Sequence, residues 1–156
     1  MLPVLPKKKG KLVSLEIDFI RESNKIEGIN RNPTQEEIDE FNRFMDLKSV
    51  TVKELQRFVS VYQPDARLRD VYGLNVRVGN YYPPFGGPEI YPALEAILNL
   101  QNSFEQHISY EKLHPFTDGN GRSGRALWAW NHRDLSLGFL HRFYYDTLNH
   151  FSHKKL

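Results

Sequence analysis

Cysteine is absent from the chain, which excludes disulfides, thiolate nucleophiles and cysteine-ligated metal sites. A dominant sign of charge is missing too. The 21 basic and 19 acidic residues leave a net charge of +2, too balanced to point to a nucleic-acid partner. No apolar run approaches the ~20 residues of a membrane span, and the amino end lacks the apolar segment of a secretory signal. Neither nucleic acid nor membrane is therefore an expected partner, and the cytoplasm is the expected location. There is no internal repeat. At 156 residues the chain has the length of one domain, and such a chain buries roughly 70% of its unfolded surface.

Residues 1–11, with Pro3, Pro6 and Lys7 to Lys9, read as a flexible basic lead-in, a solvated tail rather than a binding arm. From Leu12 a helical pattern sets in. Leu15, Phe19, Ser23 and Glu27 recur every four residues with Ile26 beside them, and Gly28 ends the helix. Thr34 with Glu37 forms a capping box before a stripe of Ile38, Phe41 and Met45. Thr51 with Glu54 repeats the device before Val52, Leu55, Val59 and Tyr62. Between Asp65 and Gly87 the helical period disappears. Val76-Arg77-Val78, a Gly79-Asn80 turn and Tyr81-Tyr82 predict a short β-hairpin ended by Pro83-Pro84.

Pro88 suits a helix first turn ahead of Ile90, Leu94, Ile97 and Leu98. A further helix from about Ser103 to Leu113, through Phe104 and Ile108, delivers His114, with His107 read as a structural histidine. Ala126, Leu127, Trp128 and Trp130 mark a central buried helix, and Gly124 within it costs about 1 kcal/mol relative to Ala, a gap that indicates close approach of backbone or ligand. Leu137 to Phe151 predicts a last helix with Phe139, Leu140, Phe143, Tyr144 and Leu148. Its His141, His150 and His153 lack a carboxylate or cysteine at ligand spacing and read as an ordinary exposed end.

The densest chemistry lies in His114-Pro115-Phe116-Thr117-Asp118-Gly119-Asn120-Gly121-Arg122-Ser123-Gly124-Arg125. Pro115 bars His114 from continuing the preceding helix and pushes it towards extended backbone, which sets the imidazole at a loop mouth. Gly119 and Gly121 let the chain bend so that N–H groups converge at the positive end of the next helix, an anion site best matched to phosphate. Arg122 and Arg125, three apart, rise from one helix face as forked donors. Asp118 offers the carboxylate with which phosphate-bound Mg²⁺ is usually held. Gly119, Gly121 and Gly124 also spell the dinucleotide fingerprint, but no strand precedes it and no repeated strand-helix unit surrounds it.

This stretch resembles the Fic signature HxFx(D/E)GNGRxxR at every fixed position. The resemblance implies an all-α fold, a helical bundle around a central helix with one short β-hairpin flap. It implies transfer of AMP from ATP to a Ser, Thr or Tyr hydroxyl of a target protein, the chain itself included, with ATP as co-substrate and Mg²⁺ as cofactor. His114 would be the general base and Asp118 the Mg²⁺ ligand. Gly119, Asn120 and Gly121 would cradle phosphates, Arg122 and Arg125 would neutralise the β- and γ-phosphates, and Phe116 would pin the loop. Ser23-Asn24-Lys25-Ile26-Glu27-Gly28 resembles the family's inhibitory motif (S/T)xxxE(G/N), so Ser23 and Glu27 would restrain the enzyme, Glu27 by pairing with Arg125 in the place of the γ-phosphate. Val76, Arg77, Val78 and Tyr81 would form the flap that docks the target.

The expected organisation is a lead-in over 1–11 and a single Fic domain over 12–156, containing the inhibitory helix 12–28, the flap 70–87 and the catalytic loop 114–125. Removal of AMP by the same pocket, transfer of another nucleotide or a phosphoryl group, and a nucleotide-binding module without turnover stay open as alternatives, as do an oligomer, the target and the base preference. A lysine at the second motif glycine accompanies phosphotransfer in relatives, and Gly121 argues against that reaction.

Overall fold

The computed structural model describes residues 10–136, with side chains from Leu15 onward. The predicted helix over 137–151, with Phe139, Leu140, Phe143, Tyr144, Leu148 and the histidines His141, His150 and His153, lies outside the described residues, as does most of the lead-in. Six helices follow in order: α1 (Gly10–Ile26), α2 (Gln35–Met45), α3 (Val52–Tyr62), α4 (Ile90–Leu98), α5 (Ser103–Leu113) and α6 (Asn120–His132). The all-α class is therefore observed. α1 starts at Gly10, within the segment expected to be a flexible lead-in. Among the described residues no helix is long and apolar enough to cross a membrane.

Helix starts follow local chemistry. At α2 the capping box is complete: Thr34 Oγ1 accepts from the Glu37 amide at 3.1 Å, and Glu37 Oε1 accepts from the Thr34 amide at 2.9 Å. At α3 only half of the expected box forms. Thr51 accepts from the Glu54 amide at 3.3 Å, while the Glu54 carboxylate pairs with Arg43 at 2.7 Å instead. A guanidinium on the facing helix outcompetes the cap's own amide for that carboxylate. Asn102 caps α5, accepting from the Glu105 amide at 2.8 Å. Pro88 lies ahead of α4, whose N-cap is Glu89. Phe104, expected on the apolar face of α5, is instead exposed.

α6 packs against α1, α2, α3 and α5, which its small residues permit. Ser123, Gly124, Ala126 and Ala129 are all buried, and a side chain at Gly124 would run into Tyr110 and Glu111 of α5. The close approach that Gly124 foretold is thus one of helix on helix. Phe19 and Phe41 (5.5 Å), Phe44 and Phe58 (5.1 Å) and the stacked Phe58 and Tyr62 (4.2 Å) fill the core between α1, α2 and α3.

The long connection between α3 and α4 is gathered around the Arg69 side chain. Arg69 is fully buried, and its guanidinium donates to the carbonyls of His114 (2.7 Å), Leu113 (2.8 Å), Pro84 (2.9 Å) and Leu74 (3.0 Å). Its backbone N–H donates to the Pro115 carbonyl at 2.8 Å, and Leu68 forms an isolated bridge with Phe116. The irregular segment is thereby fastened to the turn that follows α5. Buried carbonyls stripped of a donor cost ~1–3 kcal/mol each, and not all can be rehydrated. Arg69→Ala should accordingly lower unfolding stability in urea by ~3–5 kcal/mol, with Arg69→Lys recovering less than half. A loss under ~1 kcal/mol for Arg69→Ala would show that water replaces the guanidinium.

Candidate active site

α5 ends at Leu113, and His114 caps it with φ 51° and ψ 62°, its N–H donating to the Tyr110 carbonyl at 3.0 Å. The expected extended backbone before Pro115 is not adopted. Carbonyls on both sides of the turn are claimed by Arg69, and that fixes a left-handed residue where sequence alone points to extended chain. His114 Nδ1 lies 3.3 Å from the Glu111 carbonyl. A carbonyl only accepts, so Nδ1 carries the proton and Nε2 keeps its lone pair. Burial, with Arg69 nearby, holds the imidazole below its ordinary pKa despite the hydrogen bond to Glu111 and the carboxylates of Glu27 and Asp118. His114 is neutral at neutral pH, and its Nε2 lone pair can accept a proton.

Asn120 shapes the turn beyond. Its Oδ1 accepts from the Phe116 amide at 2.9 Å and its Nδ2 donates to the Phe116 carbonyl at 2.8 Å. The side chain expected to cradle phosphate is thus spent on closing the loop, while Phe116 is buried and anchors it. Gly119 takes φ 81° as N-cap of α6, where no side chain caps the helix. Its own amide donates to Asp118 Oδ1 at 2.8 Å, so the amides at the start of α6, rather than that of Gly119, are the ones open to an anion.

These groups border a cavity of about 740 Å³, lined by Glu27, Gln63, Glu111, His114, Asp118, Gly121, Arg122 and Arg125 among others. Asp118 is exposed there, and among the described residues no group of three or more His, Asp or Glu could hold a metal by itself. One carboxylate beside an anion site fits Mg²⁺, which takes few protein ligands and completes its shell with phosphate and water.

The end of α1 reaches the same cavity. Ile29 N–H donates to the Asn24 carbonyl (3.0 Å) and Gly28 N–H to the Lys25 carbonyl (2.9 Å), with Gly28 at φ 81°. This is a Schellman stop, which makes Glu27 the C-cap residue. Arg125 Nη2 donates to Glu27 Oε2 at 2.6 Å, and Arg125 Nε to Ser23 Oγ at 2.8 Å. A side chain at Gly121 would displace Glu27 Oε2, so this glycine leaves room for the Glu27–Arg125 pair rather than serving its backbone angles. Arg122, expected beside Arg125 on the phosphates, spends its Nη donors on Asn24 Oδ1 (3.1 Å), the Tyr62 carbonyl (2.9 Å) and Gln63 Oε1 (2.8 Å). It braces α1 and α3 against α6.

Several residues of this site are not marked by the sequence as neighbours of the motif. Asn24 and Glu37, which flank Arg122, sit in helices read only as scaffold or latch, and nothing marked Arg69. Glu111 was detectable, since it lies four residues after His107 and three before His114 on one helix face. The buried Glu111 carboxyl is pushed up to about 8 by burial, with Arg125 opposing and Glu27 adding to the rise. His107, 3.7 Å away, is pushed down to about 3 by burial and by Arg125.

The predicted hairpin does not form. Among the described residues there is no strand, and this segment keeps an isolated bridge between Val78 and Tyr81, with N–H to O distances of 2.8 and 2.9 Å around the Gly79-Asn80 turn. The next hydrogen-bonded pair would be Val76 with Pro83, which has no N–H to give. Val76, Arg77 and Val78 still line the cavity. Tyr81 turns inward, donating from its hydroxyl to the Lys112 carbonyl at 2.8 Å.

The Glu111 shift carries a stability consequence. Its folded pKa lies above the ordinary 4.5, so the native state keeps a proton that the unfolded chain releases, and stability is lost as pH rises from about 4.5 through about 8. Urea unfolding at pH 5 and pH 8.5 should show a smaller decline for Glu111→Gln than for the wild type. Equal declines would mean that Glu111 is ionised in the native state.

The Fic/DOC family model matches residues 46–131, a span that takes in α3 to α5 and nearly all of α6 with the complete turn from His114 to Arg125. A search of the curated proteins returns no match. The matched span covers more than half of the chain, and the chain belongs to the Fic/DOC family.

Proposed function

We propose that this Fic domain is a Mg²⁺-dependent protein adenylyltransferase that moves AMP from ATP to a Ser, Thr or Tyr hydroxyl of a target protein, and that it belongs to the self-inhibited class, restrained by Glu27. The observation that carries this reading is the meeting of His114, Asp118, the open start of α6 and the Glu27–Arg125 pair at one cavity. Family membership supports nucleotide transfer as the reaction class.

In the proposed reaction the target hydroxyl oxygen attacks the α-phosphorus, and its proton passes to His114 Nε2. The bond from the α-phosphorus to its bridging oxygen breaks, and the electron pair leaves with pyrophosphate. The left-handed cap and the Glu111 carbonyl orient the imidazole for this task. The amides at the start of α6 face the charge that develops on the phosphates. Asp118 would hold Mg²⁺, which neutralises phosphate charge when bound. Arg125 receives the terminal phosphate once Glu27 withdraws, while Arg122 positions α6 through Asn24, Tyr62 and Gln63.

With ATP labelled on the α- or the γ-phosphate, Glu27→Gly should raise transfer of the α label by roughly tenfold, the scale of a ~1.4 kcal/mol charge-assisted bond with one part-exposed partner. Adding His114→Ala should lower it by ~10²–10⁴. Transfer of the γ label would indicate a kinase-like reaction, and no transfer by any variant would leave only a binding module.

A further inference from the structure

α6 presents two bare positions a turn apart, and each receives a carboxyl group. Gly121 is covered by Glu27 and Gly124 by Glu111. Arg125 lies on the same helix, and its guanidinium also borders Gly121, at 3.0 and 3.2 Å from where a Cβ would stand. Glu27 is accounted for by its bond to Arg125. Glu111 is not: its side chain is about nine-tenths buried, it lines the same cavity, and its partner among charged groups is His107 Nε2 at 3.7 Å, outside hydrogen-bonding reach. A buried polar group open to a cavity and lacking a protein partner points to a ligand.

We propose that the Glu111 carboxyl is a second binding group for the terminal phosphate of the donor, giving it an O–H hydrogen bond beside the Arg125 guanidinium. This rests on the reading that Arg125 receives that phosphate when Glu27 withdraws.

A carboxylate at this place would repel the phosphate, whereas a neutral carboxyl donates to it, and the surroundings favour the neutral form. Burial raises the group to about 8, the Arg125 charge from α6 opposes, and the Glu27 carboxylate from the end of α1 adds to the rise. On its own helix, His107 is held uncharged by burial, and the His114 ring is tied to the Glu111 carbonyl rather than to its carboxyl. When phosphate replaces Glu27, one negative neighbour gives way to another, and the proton stays on Glu111. The group thus selects triphosphate over diphosphate donors and links their binding to pH.

The test uses Mg²⁺ and an ATP analogue with a methylene bridge between the α- and β-phosphates, titrated calorimetrically into Glu27→Gly between pH 7 and 9. Binding is expected to weaken as pH rises, towards tenfold per pH unit once the carboxyl ionises. Glu27→Gly combined with Glu111→Gln, which keeps an N–H donor and cannot ionise, should bind comparably at pH 7 and lose the pH dependence. With Glu111→Ala the triphosphate should bind several-fold more weakly at pH 7 and the corresponding diphosphate should be unaffected. An unchanged pH slope in the Gln variant, or equal effects of Glu111→Ala on both nucleotides, overturns the assignment of Glu111 alone. Failure of Glu27→Gly to bind the triphosphate at any pH overturns the reading of Arg125 as well.

Discussion

Arg125 has a single guanidinium and the end of α1 occupies it. Ser23 and Glu27 take its donors from a helix lying about a hundred residues earlier in the chain, at 2.8 and 2.6 Å. A guanidinium so paired offers an incoming anion less than a free one, because a phosphate on Nη2 must displace a carboxylate of the same sign. The bond gains from its surroundings: Arg125 is almost entirely buried while the Glu27 side chain is part-exposed, so the pair is stronger than a surface ion pair yet open to exchange. Its placement also offsets a local conflict. Glu27 caps the C-terminal, negative end of α1, a poor place for a carboxylate without a cation opposite.

Two other fastenings give this pair a fixed frame. Arg69 gathers carbonyls from the α3–α4 connection and from the turn after α5, and Asn120 closes the loop around the Phe116 peptide. Both spend side-chain donors on backbone, the arrangement that holds irregular chain rigid in a protein interior. Arg122 ties α1 and α3 to α6 through two side-chain oxygens, of Asn24 and Gln63, and the Tyr62 carbonyl. Of the motif's two arginines, one is therefore bound into the scaffold and the other is paired with Glu27 at the part-exposed end of α1. Around Arg122, Asn24 and Glu37 complete a network in which burial would raise the Glu37 carboxyl, but Arg31, the Thr34 amide and Asn24 hold it below its ordinary range.

Much of this was legible in the sequence because it depends on local rules. The α2 capping box, the Gly28 stop, the buried stripes of α2 and α3 and the apolar centre of α6 each follow from residues within a few positions of one another. Gly124 announced a close approach, and the structure supplies its partner in Tyr110 and Glu111. What could not be read depends on distant carbonyls and competing partners. The left-handed His114 needs Arg69, which lies 45 residues away. Arg122 turned to Asn24 and Gln63 because those side chains converge from two other helices. The hairpin failed on a detail that was present in the chain: Pro83 removes the donor that a second rung requires, a stronger fact than the alternation of Val76 and Val78.

The central claim is that Glu27 and a terminal phosphate exchange places on Arg125. A co-crystal structure of Glu27→Gly with Mg²⁺ and a non-hydrolysable ATP analogue tests it most directly. The terminal phosphate is expected on the Arg125 guanidinium, the remaining phosphates along the start of α6, and the α-phosphate on the side of His114 Nε2. A nucleotide seated elsewhere, or one whose phosphates leave Arg125 bare, would contradict it.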